Sequence, residues 1–366
     1  EHSVKNSPWR DGQGDVVREV SEACRELGME FGIYLSPWDR HEKCYGDSPR
    51  YNEYYKNQLR ELLTNYGKIH EVWFDAACGE GPNGKMQIYD MEGYVGVMRQ
   101  LQPGAAAMGP YDGYAKDESG YGRETEWMAV PRFIPADGSL YEPRNVGQAL
   151  GYINRPDFGS RALSVEVVTK HRYPWDWWVS ENIVSIRPGW FYHASQDNEV
   201  KSLEKLLDIY YCSVGRGGPL LLNIPPDRRG RIHETDAQRL REMGEVLRAT
   251  FATDLARGAK VTASQVRGGN AAYAAANTAD GDNYTYWMAD DGTETATLEY
   301  DLGGEKTFNR VVLQEFVRQG QRVEEFAVEV WDGKTWTEAA HGTTIGYKRI
   351  FRIADVKAQK VRVRIL

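Results

Sequence analysis

The sequence predicts an α/β fold, an irregular (β/α)8-like TIM barrel, followed by a separate all-β sandwich. Up to about residue 252, helical and strand patterns alternate at the spacing of βαβ units, which form parallel sheets. After residue 258 the helical period gives way to short strands separated by turn residues. One strand pattern ends in a carboxylate, Asp75, and the carboxyl ends of parallel strands are where α/β barrels hold their reactive groups. We therefore expect residues 1–252 to form the barrel and residues 258–366 the sandwich.

Two helix–strand pairs lead to Asp75. The first helix pattern covers residues 14–28, with Asp15 suited to its N-cap, and a strand pattern follows over residues 29–35. A second amphipathic helix pattern covers residues 48–67. The run that ends in Asp75 is apolar and rich in β-branched and aromatic residues, and a glycine-rich loop follows it. This order of elements is that of consecutive βα units.

The rest of the first domain continues less regularly. Helix patterns cover residues 92–101, 198–214 and 234–249, and strand patterns cover residues 105–108, 163–168 and 219–224. The barrel-type strands number about five or six, whereas a closed α/β barrel needs eight. We therefore expect the chain to begin inside its domain, with about two βα units missing. An open, doubly wound sheet is the alternative.

The last part of the chain has the pattern of antiparallel strands with one buried face. Val361, Val363 and Ile365 alternate with charged residues in the final strand pattern. Similar short patterns cover residues 298–302, 309–313 and 326–331.

Composition excludes several classes of function. The chain has 366 residues, a net charge of −8 and no basic run that suits a nucleic acid. No apolar run approaches the ~20 residues that a membrane span needs. The four cysteines form no CxxC pair and the seven histidines form no HxxxH or HxH group, so we expect no metal and no cofactor. The 11 Trp and 22 Tyr weakly favour a carbohydrate-binding protein, because aromatic rings stack on sugar faces.

Asp75 is the first candidate catalytic residue, although an Asp that caps the following loop is the alternative. Hydrolysis of a glycosidic bond without a metal needs two carboxyls, one acid and one nucleophile or base. The second is expected in the loop of residues 111–127, which follows the strand at 105–108. This loop contains Asp112, Asp117, Glu118, Glu124 and Glu126. Residue chemistry alone does not choose between them, and each can also be a solvated loop charge.

The stretch of residues 185–193 is dense in aromatic residues around one arginine. An arginine and several rings at a turn suit a sugar, which offers hydroxyls to a donor and a flat apolar face to a ring. The alternative is that Trp190 and Phe191 are core residues and that Arg187 is a structural ion-pair partner. We interpret Asn223, at the end of its strand, as a turn former rather than a hydroxyl binder.

Four motifs, in order, resemble the α-L-fucosidases of glycoside hydrolase family 29, and most closely the branch associated with α-1,3/1,4 linkages. They are Gly32-Ile33-Tyr34-Leu35-Ser36-Pro37-Trp38, Glu71-Val72-Trp73-Phe74-Asp75, Ser185-Ile186-Arg187-Pro188-Gly189-Trp190-Phe191 and Leu221-Leu222-Asn223-Ile224-Pro225-Pro226. The resemblance covers about residues 1–250. It implies an irregular (β/α)8-like barrel and a retaining double displacement.

The resemblance also implies roles for individual residues. Asp75 corresponds to the nucleophile of this family. Glu118 corresponds to the acid/base, in an Asp117-Glu118-Ser119-Gly120 loop where the family has Asn-Glu-x-Gly. Because Asp117 departs from that pattern, Glu124 and Glu126 stay open as alternatives. The implied substrate-binding residues are Tyr34, Trp38, Glu181, Arg187 and Trp190. The strand ends of the family that carry fucose-binding histidines would lie upstream of Glu1.

The C-terminal domain resembles a discoidin-type, galactose-binding-like sandwich in the motifs of residues 280–287 and 343–348. We expect it to support the barrel rather than to bind sugar. The resemblance as a whole implies a retaining exo-α-L-fucosidase that acts on fucosylated oligosaccharides of the Lewis type. A non-catalytic carbohydrate-binding protein with a decayed barrel, or a retaining glycosidase for another sugar, are the alternatives. We expect a secreted or periplasmic protein whose targeting segment is not present in this chain.

Overall fold

The computed structural model describes residues 3–75, 77–108, 115–116, 127–131, 155, 157, 159–170, 175–179 and 181–366. The described residues fall into two compact units. The first unit contains those up to residue 108, and the second contains those from residue 115 onward.

The first unit is a run of βα elements around a parallel sheet. Its elements are α1 (Val16–Glu26), β1 (Gly32–Tyr34), α2 (Ser48–Asn65), β2 (Glu71–Trp73), α3 (Met91–Leu101) and β3 (Ala106–Met108). Strand β2 lies in the middle of the sheet and pairs in parallel with β1 and with β3. This arrangement confirms the predicted alternation of helix and strand up to residue 108.

Helix α2 covers the sheet with a tyrosine-rich face. Its buried residues are Tyr51, Tyr55, Leu59 and Leu63, spaced four apart as one helical face requires. The ring of Tyr55 lies 4.4 Å from that of Tyr94 on α3, so the two helices share the same core with β1 and β2. Burial of Leu59 and Leu63 contributes roughly 1.5–3 kcal/mol of hydrophobic stabilisation each.

Helix α1 begins where the sequence predicts but is not buried as its pattern suggests. The Asp15 carboxylate accepts a hydrogen bond from the Arg18 amide at 3.0 Å, which confirms the predicted N-cap. Val16, Val20 and Leu27 of its apolar face are nevertheless exposed. All of this helix is described, and Ser21 is its one buried residue.

The second unit begins with further strands and helices of the α/β type. They are β4 (Ala115–Lys116), β5 (Trp127–Pro131), α4 (Arg161–Lys170), β6 (Trp175–Val179), β7 (Asn182–Ser185), α5 (Leu203–Cys212), β8 (Leu220–Asn223) and α6 (Glu234–Thr250). Strand β7 pairs in parallel with β4 and β8, while β5 and β6 form an antiparallel pair. Val184 of β7 packs with Leu206 and Ile209 of α5 and with Met243 of α6.

The strand predicted at residues 163–168 is wrong, because these residues belong to helix α4. Leu163 and Val167 are both buried and lie four residues apart, so one helical face accounts for the apolar run as well as a strand does. The Ser160 hydroxyl accepts a hydrogen bond from the Leu163 amide at 3.1 Å and caps the helix. Glu166 and Lys170 form an ion pair one turn apart at 2.7 Å, which favours the helix further.

The C-terminal part of the second unit is an antiparallel sheet in the order β12-β11-β13-β10-β9. Its strands are β9 (Lys260–Ala263), β10 (Ala296–Leu313), β11 (Phe326–Trp331), β12 (Trp336–Gly342) and β13 (Arg349–Ile365). Phe326, Val328 and Val363 are buried in its core, and the alternation predicted for the last strand is confirmed. On the opposite face, Arg362 pairs with Glu329.

The sequence predicts separate strands at residues 298–302 and 309–313, but both belong to the single strand β10. Its pairing with β13 shifts register between Asp301 and Lys306. Gly303 and Gly304 lie in that interval with φ values of +73° and +152°, which residues with a side chain rarely adopt. An irregularity of this kind bends a strand without ending it.

The sheet packs directly on helix α5. The guanidinium of Arg310 donates a hydrogen bond to the Tyr211 hydroxyl at 2.8 Å, and that of Arg352 lies 4.8 Å from the centre of the same ring. Arg352 also pairs with Asp208 at 2.9 Å. Tyr211 is itself buried. The β-sandwich is therefore attached to α5 by a specific cation–aromatic contact as well as by the intervening chain.

All four cysteines carry free thiols. No helix in the described ranges combines the length and the apolar character that crossing a bilayer requires.

Candidate active site

Asp75 lies at the carboxyl end of the central strand of the first unit. Strand β2 ends at Trp73, and the next amide, that of Phe74, still donates to the carbonyl of Met108 at 2.8 Å. The Asp75 carboxylate is therefore placed by a strand that is held on both sides. It is partly buried, so it remains open to a ligand.

Both oxygens of the Asp75 carboxylate accept hydrogen bonds. The hydroxyl of Tyr34, the last residue of β1, donates to Oδ2 at 2.8 Å, and the amide of Ala77 donates to Oδ1 at 2.9 Å. The bond from Ala77 is the local turn contact that the loop-cap alternative predicts. The bond from Tyr34 comes from another strand and is not explained by turn formation. Two donors on two oxygens suit the ionised carboxylate.

The Tyr34 hydroxyl is held in its neutral, donating form. Partial removal from water is the largest cause that raises its pKa, and the contacts with Asp75 act in the same direction. The contact with Ser36 opposes them, and the net result raises the pKa of Tyr34 from its ordinary value of 10.0 to about 12. Its ring meets that of Trp73 edge to face, with 5.4 Å between centroids. About half of the side chain, 52%, is exposed.

Trp38 lies beside the loop that follows Asp75. A Cβ on Gly79 would lie 2.7 Å from Cζ2 of the Trp38 ring, so this close approach requires glycine. The buried Tyr51 of α2 fixes the segment that carries Trp38, because its hydroxyl donates to the Pro37 carbonyl at 2.7 Å. Trp38 is 42% exposed, and an exposed indole suits stacking against the apolar face of a sugar.

Two further tyrosines of this region, Tyr45 and Tyr89, are not marked by any pattern in the sequence. Their hydroxyls lie 2.7 Å apart, and both contact the backbone of the loop that follows Asp75. They lie 44 residues apart in the chain, and no local pattern distinguishes them from the other tyrosines of the chain.

In the second unit, Trp190 and Phe191 lie on a turn whose backbone is fixed by hydrogen bonds from two side chains. The Ser185 hydroxyl donates to the Gly189 carbonyl at 2.7 Å, and the Asn223 amide donates to the Trp190 carbonyl at 3.1 Å. Trp190 is 50% exposed and Phe191 is 77% exposed, so the alternative that both rings are core does not fit this structure. Asn223 also donates to the Ser185 hydroxyl and holds the turn, in keeping with its interpretation as a turn former.

Arg187 is fully buried beneath this turn. Its Nε donates to Asp236 of α6 at 2.8 Å, and its Nη1 donates to Asp197 at 3.0 Å. The ring of Tyr192 lies 4.8 Å from the guanidinium carbon. These contacts are those of a structural ion-pair partner, which is the alternative given for Arg187 from the sequence. They hold the loop from Arg187 to Asp197 against α6. A contact between Arg187 and substrate stays a prediction.

The other predicted site residues are Glu181 and Glu118. Glu181 lies directly before β7 and is buried. Glu118 lies outside the described residues, as do its alternatives Glu124 and Glu126. Within the described ranges, no group of three His, Cys, Asp or Glu side chains could hold a metal ion.

Comparison with known proteins gives two family matches. A model described as Alpha-L-fucosidase matches residues 2–250, and one described as F5/8 type C domain matches residues 260–366. A rice (Oryza sativa subsp. japonica) protein assigned as alpha-L-fucosidase 1 is 39% identical over 370 residues, which cover 100% of this chain and 66% of the rice protein.

Solved structures are similar over nearly the whole chain. A Bacteroides ovatus protein assigned as an α-L-fucosidase is 44% identical with a TM-score of 0.78, and the match covers 100% of this chain and 57% of that one. A Ruminococcus gnavus GH29 fucosidase, solved in complex with fucose, is 32% identical with a TM-score of 0.76. That match covers 97% of this chain and 72% of the other. This chain thus spans just under two thirds of the rice protein and little more than half of the Bacteroides protein.

These matches confirm the predicted fold, an α/β barrel of the kind found in GH29 proteins with a C-terminal discoidin-like β domain. They also confirm the family resemblance drawn from the four motifs. The domain limits at residues 252 and 258 stay predictions.

Proposed function

The chain belongs to the α-L-fucosidase family, and from this we propose that it is a retaining exo-α-L-fucosidase. We propose as its substrates oligosaccharides of the Lewis type, which carry terminal L-fucose in α-1,3 or α-1,4 linkage. A secreted or periplasmic location would give it access to such glycans. The observation that carries the proposal is Asp75, an accessible carboxylate at the end of the central strand with a donor on each oxygen.

In the proposed first step, a carboxylate oxygen of Asp75 attacks the anomeric carbon of fucose. The bond from that carbon to the leaving oxygen breaks, and Glu118 gives its proton to the leaving oxygen. This step leaves a fucosyl ester on Asp75. In the second step Glu118 takes a proton from water, whose oxygen attacks the anomeric carbon and releases Asp75. A double displacement of this kind needs carboxyls about 5–5.5 Å apart.

Contacts around Asp75 support the role of nucleophile. The two donors fix the orientation of its carboxylate, which favours attack from one direction. They also stabilise the negative charge that returns to Asp75 when the ester is hydrolysed. The exposed face of Trp38 supplies an apolar surface for a deoxy-sugar near the same strand end.

A substrate panel tests the proposal on the full-length protein. We expect turnover of nitrophenyl α-L-fucoside and of Lewis trisaccharides, with slower turnover of an α-1,2-linked fucoside and none of nitrophenyl β-galactoside. Proton NMR in the first minutes should show α-L-fucose before the anomers equilibrate, because two inversions retain configuration.

Each other outcome of the panel identifies a different alternative. Turnover of another sugar alone would support a glycosidase of different specificity. Fucose binding by calorimetry without any turnover would support the non-catalytic binding protein. First formation of the β anomer would refute the retaining mechanism.

Replacing Tyr34 with Phe removes the hydroxyl that donates to Asp75 and keeps the ring. We expect kcat/KM to fall about tenfold, because a hydrogen bond to a charged group contributes about 1.5–3 kcal/mol and water can replace part of it here. Since the raised pKa keeps this hydroxyl protonated below pH 10, the ratio of wild type to variant should be the same at pH 5 and pH 8. A kcat/KM within twofold of wild type would contradict the assigned contact.

The same pKa predicts how Tyr34 affects stability. A phenol whose pKa rises on folding from 10.0 to about 12 favours the folded state while it is protonated in both states. Its contribution is therefore complete below pH 10 and is lost as the pH rises toward 12. In urea unfolding between pH 9 and 11, Tyr34→Phe should lose stability less steeply than wild type.

A further inference from the structure

Two tyrosine hydroxyls form a directed chain of hydrogen bonds across the loop that follows Asp75. The Gly79 amide donates to the Tyr45 hydroxyl at 3.3 Å, and the Tyr45 and Tyr89 hydroxyls lie 2.7 Å apart. The Tyr89 hydroxyl donates to the Ala77 carbonyl at 2.8 Å. The direction is fixed, because an amide can only donate and a carbonyl can only accept. Tyr45 therefore donates to Tyr89.

We propose that Tyr45 and Tyr89 are positioning residues for Asp75, acting through Ala77. The Ala77 amide holds Oδ1 of the Asp75 carboxylate, while the Ala77 carbonyl is held by Tyr89. The place of one donor to the carboxylate thus depends on the tyrosine pair. This inference rests on the proposed function, in which Asp75 is the nucleophile.

Burial and a ring contact fix the position of the tyrosine pair. Tyr45 is almost fully buried, and its ring meets that of Tyr51 edge to face with 4.8 Å between centroids. Burial raises the pKa of Tyr89, and its hydrogen bond with Tyr45 acts in the same direction, so Tyr89 stays a neutral donor. A side chain whose neighbours fix it in this way can transmit its position to the loop that it contacts.

The loop lies against the Tyr45 backbone at a second point. A Cβ on Gly81 would lie 1.9 Å from the Tyr45 carbonyl oxygen, so only glycine allows the loop backbone to approach the Tyr45 backbone this closely. The Gln87 side-chain oxygen accepts a hydrogen bond from the Gly46 backbone amide at 2.9 Å. The Gln87 backbone amide donates to the Gly79 carbonyl at 3.2 Å. The segment around Tyr45 is therefore a fixed surface against which the loop is set.

Misplacement of a nucleophile lowers the rate more than it lowers binding. A displacement of about 1 Å, caused by a change that does not touch the substrate, can reduce a rate about 100-fold. Tyr89 lies one residue beyond Ala77 in the hydrogen-bond chain, so we expect a smaller effect. Ground-state binding of fucose depends little on the angle of the Asp75 carboxylate. The expected signature is a loss in kcat at nearly constant KM.

The test compares Tyr89→Phe with Tyr94→Phe in the full-length protein. Tyr94 is a control because it is buried in the same core and its hydroxyl donates to the Asn52 side chain at 2.5 Å, so it reaches the loop through Asn52 and Gln87, whereas the Tyr89 hydroxyl donates to the loop backbone directly. Each variant loses one phenolic hydroxyl and keeps its ring. Tyr89→Phe should lower kcat for nitrophenyl α-L-fucoside about tenfold, with KM and the inhibition constant of fucose within twofold.

Tyr94→Phe should keep kcat and KM within twofold of wild type, even where thermal unfolding shows a comparable loss of stability. Tyr45→Phe should resemble Tyr89→Phe, and the double variant should lose no more than about either single variant, because the two hydroxyls belong to one chain. An equal loss of kcat in the Tyr94 variant, or a kcat within twofold of wild type in the Tyr89 variant, would refute the inference alone. A wild-type protein that turns over no fucoside would refute the proposed function, and the inference with it.

Discussion

Asp75→Asn should abolish fucoside hydrolysis, lowering kcat/KM by at least about 10³-fold, while the protein stays folded. Asparagine has nearly the same shape and can still accept the Ala77 amide, so little packing is lost. Its neutral amide is a poor nucleophile, and the ester intermediate cannot form at a useful rate. Circular dichroism and thermal unfolding should match wild type, and the assay is nitrophenyl α-L-fucoside turnover. Retained activity would refute Asp75 as the nucleophile.

Azide separates the roles of the two proposed carboxyls. With Asp75→Gly, azide should occupy the space of the lost carboxylate and give β-L-fucosyl azide by a single inversion. With Glu118→Ala, azide should attack the fucosyl ester and give the α anomer by a second inversion. Glu124→Ala and Glu126→Ala serve as comparisons. If one of these, rather than Glu118→Ala, gives α-L-fucosyl azide, the acid/base lies at that position instead.

Arg187→Met should lower the free energy of unfolding by about 3–5 kcal/mol, because it leaves a buried carboxylate without its partner. The Arg187 and Asp236 side chains are both 0% exposed and lie 2.8 Å apart. Methionine fills much of the volume of arginine, so the loss arises mainly from the uncompensated charge. Urea unfolding measures it. The double variant Arg187→Met with Asp236→Asn should recover part of the loss, since it removes both charges.

An exposed ion pair is the control for this prediction. Lys357 pairs with Glu305 at 2.6 Å with both side chains more than half exposed, and Lys357→Met should change stability little. If Arg187→Met left stability unchanged but abolished fucose binding, Arg187 would be a substrate contact, as the family resemblance implies. A large loss of stability, with fucose binding retained at low temperature, would identify it as the residue that anchors the Trp190 turn.

The order of elements and the place of Asp75 were readable from the sequence because both depend on local pattern. A strand pattern that ends in a carboxylate places that carboxylate at the strand end, whatever surrounds it. The strand predicted at residues 163–168 is wrong because a short apolar run fits both the helical and the strand period. Its spacing of Leu163 and Val167, with a serine before them, is the helical signal that could have corrected it.

Burial and pairing across the chain were not readable. Arg187 meets Asp197 ten residues away and Asp236 49 residues away, and no local pattern marks either partner. Tyr45 and Tyr89 lie 44 residues apart, one before α2 and the other before α3, so no local pattern shows that their hydroxyls meet. Local sequence determines which residues end a strand, whereas tertiary packing determines which of them face a ligand.

The contact of Arg310 and Arg352 with Tyr211 has a practical consequence for dissecting this protein. A fragment that stops near residue 255 would uncover the Tyr211 ring and deprive Asp208 of its counterion. A chimera with a foreign β module would need cationic groups at both positions to restore them. We therefore expect the C-terminal sandwich to stabilise helix α5, so that removing it would alter the domain that contains this helix.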